Sequence, residues 1–159
     1  MSTLDLSKVQ EILNGLPETV RPLTTGLDHL GVAVPSLEEA VPLYRDLLGL
    51  PFLYEDEVET DGVKVAVFDL GKGHLELLEP TSEDSPIAKF IDKRGPGLHH
   101  VALRATDCGA ALNALKEVGV RLIDEKPRLG AGGAHIGFVH PKATGGILLE
   151  LCQRDGSGH

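Results

Sequence analysis

The chain has 159 residues, of which 42% are hydrophobic and 25% are charged, and it contains no tryptophan. This length and composition predict one ordinary globular domain that buries roughly two-thirds of the surface of its unfolded chain. The 15 Lys and Arg residues are outnumbered by 24 Asp and Glu residues, which gives a net charge of −9. A broad nucleic-acid surface is excluded because such surfaces neutralise phosphates with basic residues. No apolar run approaches the roughly 20 residues that a membrane span needs.

The N-terminal extension and the cysteines predict a cytoplasmic protein. Residues 1–25 contain acidic side chains but no secretory apolar region. Within the extension, apolar residues at helical spacing predict a short amphipathic helix over residues 5–14 that packs on the domain. The two cysteines, Cys108 and Cys152, are too few for a disulfide framework and lie in no thiol motif, which favours a reducing compartment.

The rest of the chain contains two copies of one pattern. An apolar strand pattern that contains His29 is followed by a helical pattern, and the same succession begins again at His100. A later apolar strand contains Glu76 in the first copy and Glu150 in the second. A period of about seventy residues is too long for a solenoid unit and is typical of a duplicated small module.

Each copy is predicted to run strand, helix and then three strands. The first copy has strands at 27–34, 52–58, 63–70 and 74–79 and a helix at 36–48; a joining helix follows at 87–92; the second copy has strands at 98–105, 121–124, 135–139 and 146–152 and a helix at 108–118. Pro42 lies inside the first helical pattern and would remove one backbone hydrogen bond there. Residues 130–133 are rich in glycine and would suit a phosphate cradle, but no Gly-Lys-Ser/Thr follows, so a hairpin is favoured.

The matched histidines and glutamates predict a metal site. Strand alternation places His29 on one face with Gly31 and Ala33, whose small size leaves that face open. Glu76 and Glu150 lie among leucines, where an ionised carboxylate carries a large desolvation cost that a cation offsets. Two imidazoles and two carboxylates balance a divalent charge, suit a first-row transition metal and leave positions open for substrate.

Each of these residues taken alone favours a structural role, and their coincidence at matched places in the two copies favours ligands. Four further histidines have no matched partner and are predicted to be structural or at the surface: His74, His99, His135 and His140.

The chain resembles the methylmalonyl-CoA epimerase family of the vicinal oxygen chelate superfamily over about residues 26–154. The segments that carry the resemblance are 28–34, 76–80, 84–90, 97–102, 140–142 and 145–150. It implies an α+β fold in which two tandem βαβββ modules form a curved, mostly antiparallel sheet around a metal site. Module one is 26–80, the joint is 81–96, module two is 97–154, and residues 155–159 form a tail. The implied ligands are His29, Glu76, His100 and Glu150, with His100 preferred to His99 as the second residue of the family's His pair.

The resemblance also implies a reaction. The family interconverts (2R)- and (2S)-methylmalonyl-CoA by moving the C2 proton, with a metal-stabilised enolate and a base on each face of C2. Some members use a further glutamate as a base, and the matching position here is Val65. We therefore hypothesise that Glu76 and Glu150 are the two bases. Lys64 is an alternative base, but strand alternation favours a solvated position for it.

Cofactor, partners and rival functions follow from the same resemblance. Cobalt is the favoured ion, with manganese, nickel and zinc left open, and a homodimer is implied. Ethylmalonyl-CoA is a second candidate substrate. The cations available for CoA are Lys89, Lys93, Arg94, Lys126, Arg128 and Lys142. The alternatives are a glyoxalase I-type isomerase and a non-enzymatic binding member of the superfamily, whereas an extradiol dioxygenase is disfavoured because Glu76 would occupy a fourth metal position.

Overall fold

A computed structural model describes residues 4–155, and the chain divides into two compact units. One unit is residues 28–100, and the other combines the N-terminal residues up to 27 with residues from 101 onward. Both units contain helices and strands, so the predicted α+β class is confirmed. Most of the predicted tail, residues 156–159, and residues 1–3 lie outside the described part. No helix in residues 4–155 is long and apolar enough to cross a membrane.

The unit of residues 28–100 holds four strands in the order β2-β3-β4-β1. They are β1 (Gly26–Ala33), β2 (Phe52–Val58), β3 (Val63–Asp69) and β4 (His74–Pro80), with helices α2 (Leu37–Pro42) and α3 (Pro86–Arg94). Strands β1 and β4 are parallel, and the other two pairs are antiparallel. Helix α2 packs on this sheet through Leu37 and Val41, which join Phe68 and Leu77 in one apolar cluster.

The other unit repeats this order as β5-β8-β7-β6. Its strands are β5 (Gly97–Arg104), β6 (Arg128–Leu129), β7 (His135–Val139) and β8 (Leu149–Gln153), with helices α1 (Leu6–Gly15) and α4 (Cys108–Glu117). Strands β5 and β8 are parallel, and the remaining pairs are antiparallel. The predicted N-terminal helix is therefore confirmed as α1, with Asp5 as its cap, and it contacts α4. Both units thus show the mostly antiparallel βαβββ arrangement.

The two copies also share one clamp between a strand and a helix. The side chain of Glu79, three residues after Glu76, accepts the first backbone N–H of α2 from Leu37 at 2.8 Å. In the second copy Gln153 accepts the corresponding N–H of Cys108, also at 2.8 Å. Each bond satisfies a donor that a helix start leaves without an intrahelical partner. The strand that carries each predicted site glutamate is therefore fixed to the helix of its own copy.

The prediction of a strand at residues 121–124 is wrong. The segment is a loop in which Leu122 forms only an isolated bridge to Val139. The backbone N–H groups of Ile123 and Asp124 both donate to the carbonyl of Phe138, at 2.9 and 3.2 Å. The Asp124 side chain takes the Phe138 N–H at 2.9 Å, so a side chain replaces the ladder bond that a strand would supply. The two-residue strand β6, which pairs with β7 instead, was not predicted.

Two other boundaries differ from the prediction. The helix predicted at 36–48 has the predicted length, but after Pro42 it changes from an α-helix to a π-helical turn over Leu43–Leu47. The change occurs there because proline lacks the N–H that an α-helical hydrogen bond needs. Strand β8 begins at Leu149 rather than 146, because Gly145 and Gly146 adopt positive φ angles of 78° and 100°. The glycine-rich segment forms the predicted hairpin between β6 and β7.

Candidate metal centre

Two buried histidine rings meet in the unit of residues 28–100. Each is the fourth residue of its strand, His29 in β1 and His100 in β5, and each strand opens with Gly-Leu. Their Nε2 atoms are 3.0 Å apart, and the rings meet edge to face with centroids 5.1 Å apart. Metal–imidazole bonds of about 2.1 Å at right angles would hold two nitrogens about 3 Å apart. The spacing therefore suits two adjacent ligands of one ion.

Both rings are held from behind through Nδ1 by the residue that precedes them. Asp28 Oδ1 lies 2.7 Å from Nδ1 of His29, and His99 Nδ1 lies 2.9 Å from Nδ1 of His100. A group that accepts the Nδ1 proton of a histidine leaves the lone pair of Nε2 for a metal. The sequence pattern predicted no role for Asp28 and only a structural or surface role for His99. The available signal was that each of them precedes a predicted ligand in the repeat.

The electrostatics of His99 differ from those of an exposed histidine. Burial lowers the pKa of His99 to about 4, with a smaller contribution from the positive charge of Arg94. The ring is therefore neutral at pH 7, and one of its two nitrogens accepts a hydrogen bond. His99 was predicted to have a structural or surface role. The structure gives it a more specific one, because its ring contacts His100, a candidate metal ligand.

Glu76 brings a second carboxylate to the histidine pair. It is the third residue of β4, it is 3% exposed, and its Oε2 atom is 3.3 Å from Nδ1 of His29. The carboxylates of Asp28 and Glu76 thus flank one imidazole in a buried region. Buried negative charge of this kind is costly unless it is compensated, and a divalent cation would balance it. The charge and donor types of these residues therefore suit a divalent ion, while the measured contact of Glu76 is to Nδ1 of His29 and not to the Nε2 pair.

Gly31 provides the space that the His100 ring occupies. A Cβ atom at residue 31 would lie 2.1 Å from Cε1 of His100 and 2.5 Å from its Nδ1. Gly31 also pairs in register with Glu76. At residue 31 the space that a small residue leaves is occupied by the His100 ring, and only glycine meets this requirement.

Glu150 occupies the equivalent position in the other unit. It is 3% exposed and pairs in register with Ala102 of β5 and Phe138 of β7. Ala102 follows His100 by two residues, as Gly31, the partner of Glu76, follows His29. All four predicted ligands are thus buried and occupy matched places in the two copies.

The other histidines have ordinary structural positions. His74 is 4% exposed and is the register partner of His29, so it is an interior residue rather than a surface one. Nδ1 of His140 accepts the backbone N–H of Lys142 at 3.0 Å and caps a short 3₁₀ turn. His135 is partly buried on β7.

The structure also places the two alternative base positions, residues 64 and 65, on β3. Lys64 is exposed, as strand alternation predicted. Val65 is 1% exposed and lies on the same sheet face as Glu76, two register positions away, because Val67 pairs with Glu76 and Val65 pairs with Leu78. Residue 65 therefore lies on the site face but offers no titratable group.

The predicted CoA cations differ in availability. Arg128 is held by Asp124, with Nε 3.2 Å from Oδ1, and lies over the ring of Phe138. Its charge is partly neutralised there. The other five are exposed, three of them on α3: Lys89, Lys93, Arg94, Lys126 and Lys142.

Comparisons with known proteins agree with this architecture. Residues 28–138 match the Glyoxalase/Bleomycin resistance protein/Dioxygenase superfamily. Human mitochondrial methylmalonyl-CoA epimerase is 38% identical over 128 residues, which cover 80% of this chain and 73% of the human protein.

Solved structures of methylmalonyl-CoA epimerases are also similar to this chain. The crystal structure of methylmalonyl-CoA epimerase from Mycobacterium tuberculosis has a TM-score of 0.82 and 37% identity, covering 91% of this chain and 97% of that one. A methylmalonyl-CoA epimerase in complex with methylmalonyl-CoA and NH4+ has a TM-score of 0.79 and 36% identity, covering 84% and 96% of the two chains.

Proposed function

Because the chain belongs to the Glyoxalase/Bleomycin resistance protein/Dioxygenase superfamily and, within it, to the methylmalonyl-CoA epimerase family, we propose that it interconverts (2R)- and (2S)-methylmalonyl-CoA. The observation that carries the proposal is the buried pair of Nε2 atoms of His29 and His100, 3.0 Å apart. The substrate assignment draws on the relatives, one of which is solved with methylmalonyl-CoA.

In this proposal a divalent ion is held by His29, Glu76, His100 and Glu150. Cobalt is the favoured ion by resemblance to the family, and manganese, nickel and zinc are further candidates for a set of imidazole and carboxylate donors. When bound, the ion supplies a Lewis acid toward the carbonyl and carboxylate oxygens of the substrate. The burial of all four side chains and their matched places in the two copies support this assignment.

The protein itself supplies the proton transfer. Inversion at C2 needs one group to remove the proton from one face and another to deliver a proton to the opposite face. We assign these roles to Glu76 and Glu150, one carboxylate from each copy. One accepts the C2 proton while the other, already protonated, donates one, and their roles exchange for the opposite epimer. Val65 has no acidic group and Lys64 is exposed, so neither position competes for the role.

The first experiment measures exchange of the C2 proton of methylmalonyl-CoA with deuterated water by NMR. Metal-stripped enzyme is compared before and after the addition of cobalt, beside an assay for glyoxalase activity. We expect exchange only with metal and no glyoxalase activity. His135→Ala serves as a histidine control outside the site and retains the activity. Absence of exchange in both metal states would contradict the assigned reaction, and glyoxalase activity would favour the rival isomerase.

A second experiment tests the two bases with Glu76→Gln and Glu150→Gln. Each variant keeps an oxygen donor but loses its proton-transfer group, so we expect each to stop epimerisation. Each variant should still wash deuterium into only the epimer whose C2 proton faces the remaining carboxylate. Cobalt absorption spectra verify that the ion is retained. Unchanged epimerisation by either variant would remove that residue from its role.

Partners and location complete the proposal. We infer a cytoplasmic homodimer and binding of the CoA phosphates by some of the exposed cations. Two leucines of the π-helical turn and its end, Leu47 and Leu48, are 82% and 60% exposed, which supports contact with a second copy. Light scattering on the purified chain measures the assembly, and a monomer at micromolar concentration would contradict it. Ethylmalonyl-CoA is tested in the same exchange assay.

A further inference from the structure

The two candidate histidine ligands are anchored by different chemistry. His29 has a carboxylate behind it, at 2.7 Å from Nδ1, which can only accept a hydrogen bond once ionised. His100 has another imidazole behind it, at 2.9 Å between the two Nδ1 atoms. An imidazole nitrogen either donates or accepts, so the direction of this second bond decides which nitrogen of His100 carries its proton.

The Nδ1–Nδ1 bond contains one proton, and its two arrangements have opposite consequences. If the proton is on His100, His99 accepts it and the Nε2 lone pair of His100 is directed at His29. If the proton is on His99, His100 carries its own proton on Nε2, which then points toward His29 at 3.0 Å and cannot bind a metal. Only the first arrangement makes His100 a ligand.

Packing holds the His99 ring in the place from which it can accept. The ring is partly buried and meets the ring of Phe90 edge to face, with centroids 5.0 Å apart and an interplanar angle of 81°. Phe90 lies in α3, and the guanidinium of Arg94, one turn further along this helix, lies over the Phe90 ring at 5.8 Å. Helix α3 is capped by Ser85, which is 2% exposed. His99 is therefore supported by an ordered helix and not only by its own strand.

We propose that His99 is a positioning residue that accepts the Nδ1 proton of His100 and so presents Nε2 of His100 to the divalent ion. The inference rests on the proposed metal site. It assigns His99 no contact with substrate. Outer partners of this kind contribute to metal affinity, typically by a factor of 10 to 100.

The test compares two variants that separate hydrogen bonding from packing. His99→Phe keeps a ring against Phe90 but removes the acceptor, and His99→Asn removes the ring but keeps an acceptor oxygen near the position of Nδ1. Cobalt dissociation constants are measured by competition with a chelator, together with the visible spectrum of the cobalt site. We expect His99→Phe to weaken binding by a factor of about 10 to 100 and to alter the spectrum, and His99→Asn to stay within about threefold. His135→Phe is the control and should match the unmodified chain.

Several results would overturn the inference. Unchanged affinity in His99→Phe would show that the acceptor is not needed, and equal losses in both variants would assign the effect to packing. Thermal unfolding of the metal-free variants identifies any loss of folding. Independently of any variant, long-range proton–nitrogen NMR of the zinc-loaded chain reports the ring tautomers, and a proton on Nδ1 of His99 would contradict the proposal.

The same measurements separate this inference from the proposed function. Tight cobalt binding without C2 exchange would remove the assigned reaction and leave the role of His99 intact. Binding and exchange that both survive His99→Phe would leave the reaction intact and remove the role of His99. A chain that binds no divalent ion would contradict both.

Discussion

At the scale of single residues, the absence of a side chain at Gly31 decides whether the histidine pair can form. We expect Gly31→Ala to displace the His100 ring, because the new Cβ would lie 2.1 Å from Cε1. Cobalt affinity and C2 exchange should each fall by at least about 100-fold, in line with the loss of a ligand rather than of an outer partner. Cobalt titration and the exchange assay measure the two effects.

Gly15→Ala is the matched control for this substitution. Its Cβ would have nothing within 4 Å, so both properties should be unchanged. A Gly31→Ala variant with normal cobalt affinity would show that His100 is not required as a ligand.

Sequence reasoning found the four candidate donors because duplication repeats them, but it missed the anchoring residues. Strand alternation directs neighbouring side chains to opposite faces, so it predicts no contact between Asp28 and His29 or between His99 and His100. The observed contacts depend on side-chain torsions that the pattern does not specify. The sequence likewise predicted small residues on this face, but it did not predict that residue 31 must be glycine.

At the scale of secondary-structure elements, the clamp from Glu79 to α2 contributes to stability. Removal of its carboxylate in Glu79→Ala leaves the N–H of Leu37 without this acceptor. Because hydrogen bonds to charged groups contribute about 1.5 to 3 kcal/mol, we expect a decrease of that size in the free energy of unfolding. Chemical denaturation measures it.

The second copy supplies the control for this prediction, since Gln153 makes the same contact without a charge. Glu79→Gln should therefore lose less than half as much stability as Glu79→Ala. Equal losses in the two variants would mean that the charge, and not the acceptor, stabilises the helix start.

Helix α4 begins at a thiol whose surroundings oppose ionisation. A helix start ordinarily favours a thiolate, but burial, followed by the neighbouring Cys152 and acidic groups, raises the pKa of Cys108 from 9.0 to about 12. We therefore expect Cys108 to resist a thiol reagent at pH 8 in the folded chain and to react after unfolding. Rapid labelling of the folded chain would contradict this burial.

The same pKa shift has a consequence for stability in alkali. Between pH 9 and pH 12 the unfolded thiol loses its proton while the folded one keeps it, so the unfolded state binds fewer protons. The free energy of unfolding therefore falls as pH rises through this window. Denaturation at a series of pH values should show a shallower fall for Cys108→Ala than for the unmodified chain, and an identical fall would contradict the raised pKa.

Elements that follow periodicity were predicted well, and those that depend on individual hydrogen bonds were not. The segment 121–124 has apolar residues in a strand-like pattern, yet Asp124 takes the N–H of Phe138 that a strand would need. Strand β6 has two residues, which is too short for any periodic signal. The helix changes type after Pro42 because proline has no N–H. The sequence predicted where this hydrogen bond is lost, but it did not predict that a π-helical turn would follow.

At the scale of the whole molecule, metal binding should stabilise the folded chain. A ligand that binds only the native state adds about 2.7 kcal/mol when its free concentration is 100 times the dissociation constant. We expect cobalt at that concentration to raise the unfolding temperature and a chelator to reverse the increase, as measured by calorimetry. Gly31→Ala, with at least about 100-fold weaker binding, should gain no more than about 0.4 kcal/mol, and an increase equal to that of the unmodified chain would place the bound ion elsewhere.

The duplicated organisation was readable from the sequence because His and Glu recur with the same order of elements between them. The division into units at residues 28 and 101 was not. It cuts through β1 and β5, whereas the predicted modules, 26–80 and 97–154, follow the repeat of elements along the chain and do not describe which strands contact each other.

The unequal anchors of the two histidines bear on how such a site can change over evolutionary time. A duplication first produces two identical half-sites. A later mutation in one half-site then changes the surroundings of the histidine in that half-site and leaves the other histidine unchanged. Here one copy has an aspartate before its histidine, and the other copy has a histidine there. The two inherited ligands therefore differ in electron-donating strength, so natural selection can tune the ion through either half separately.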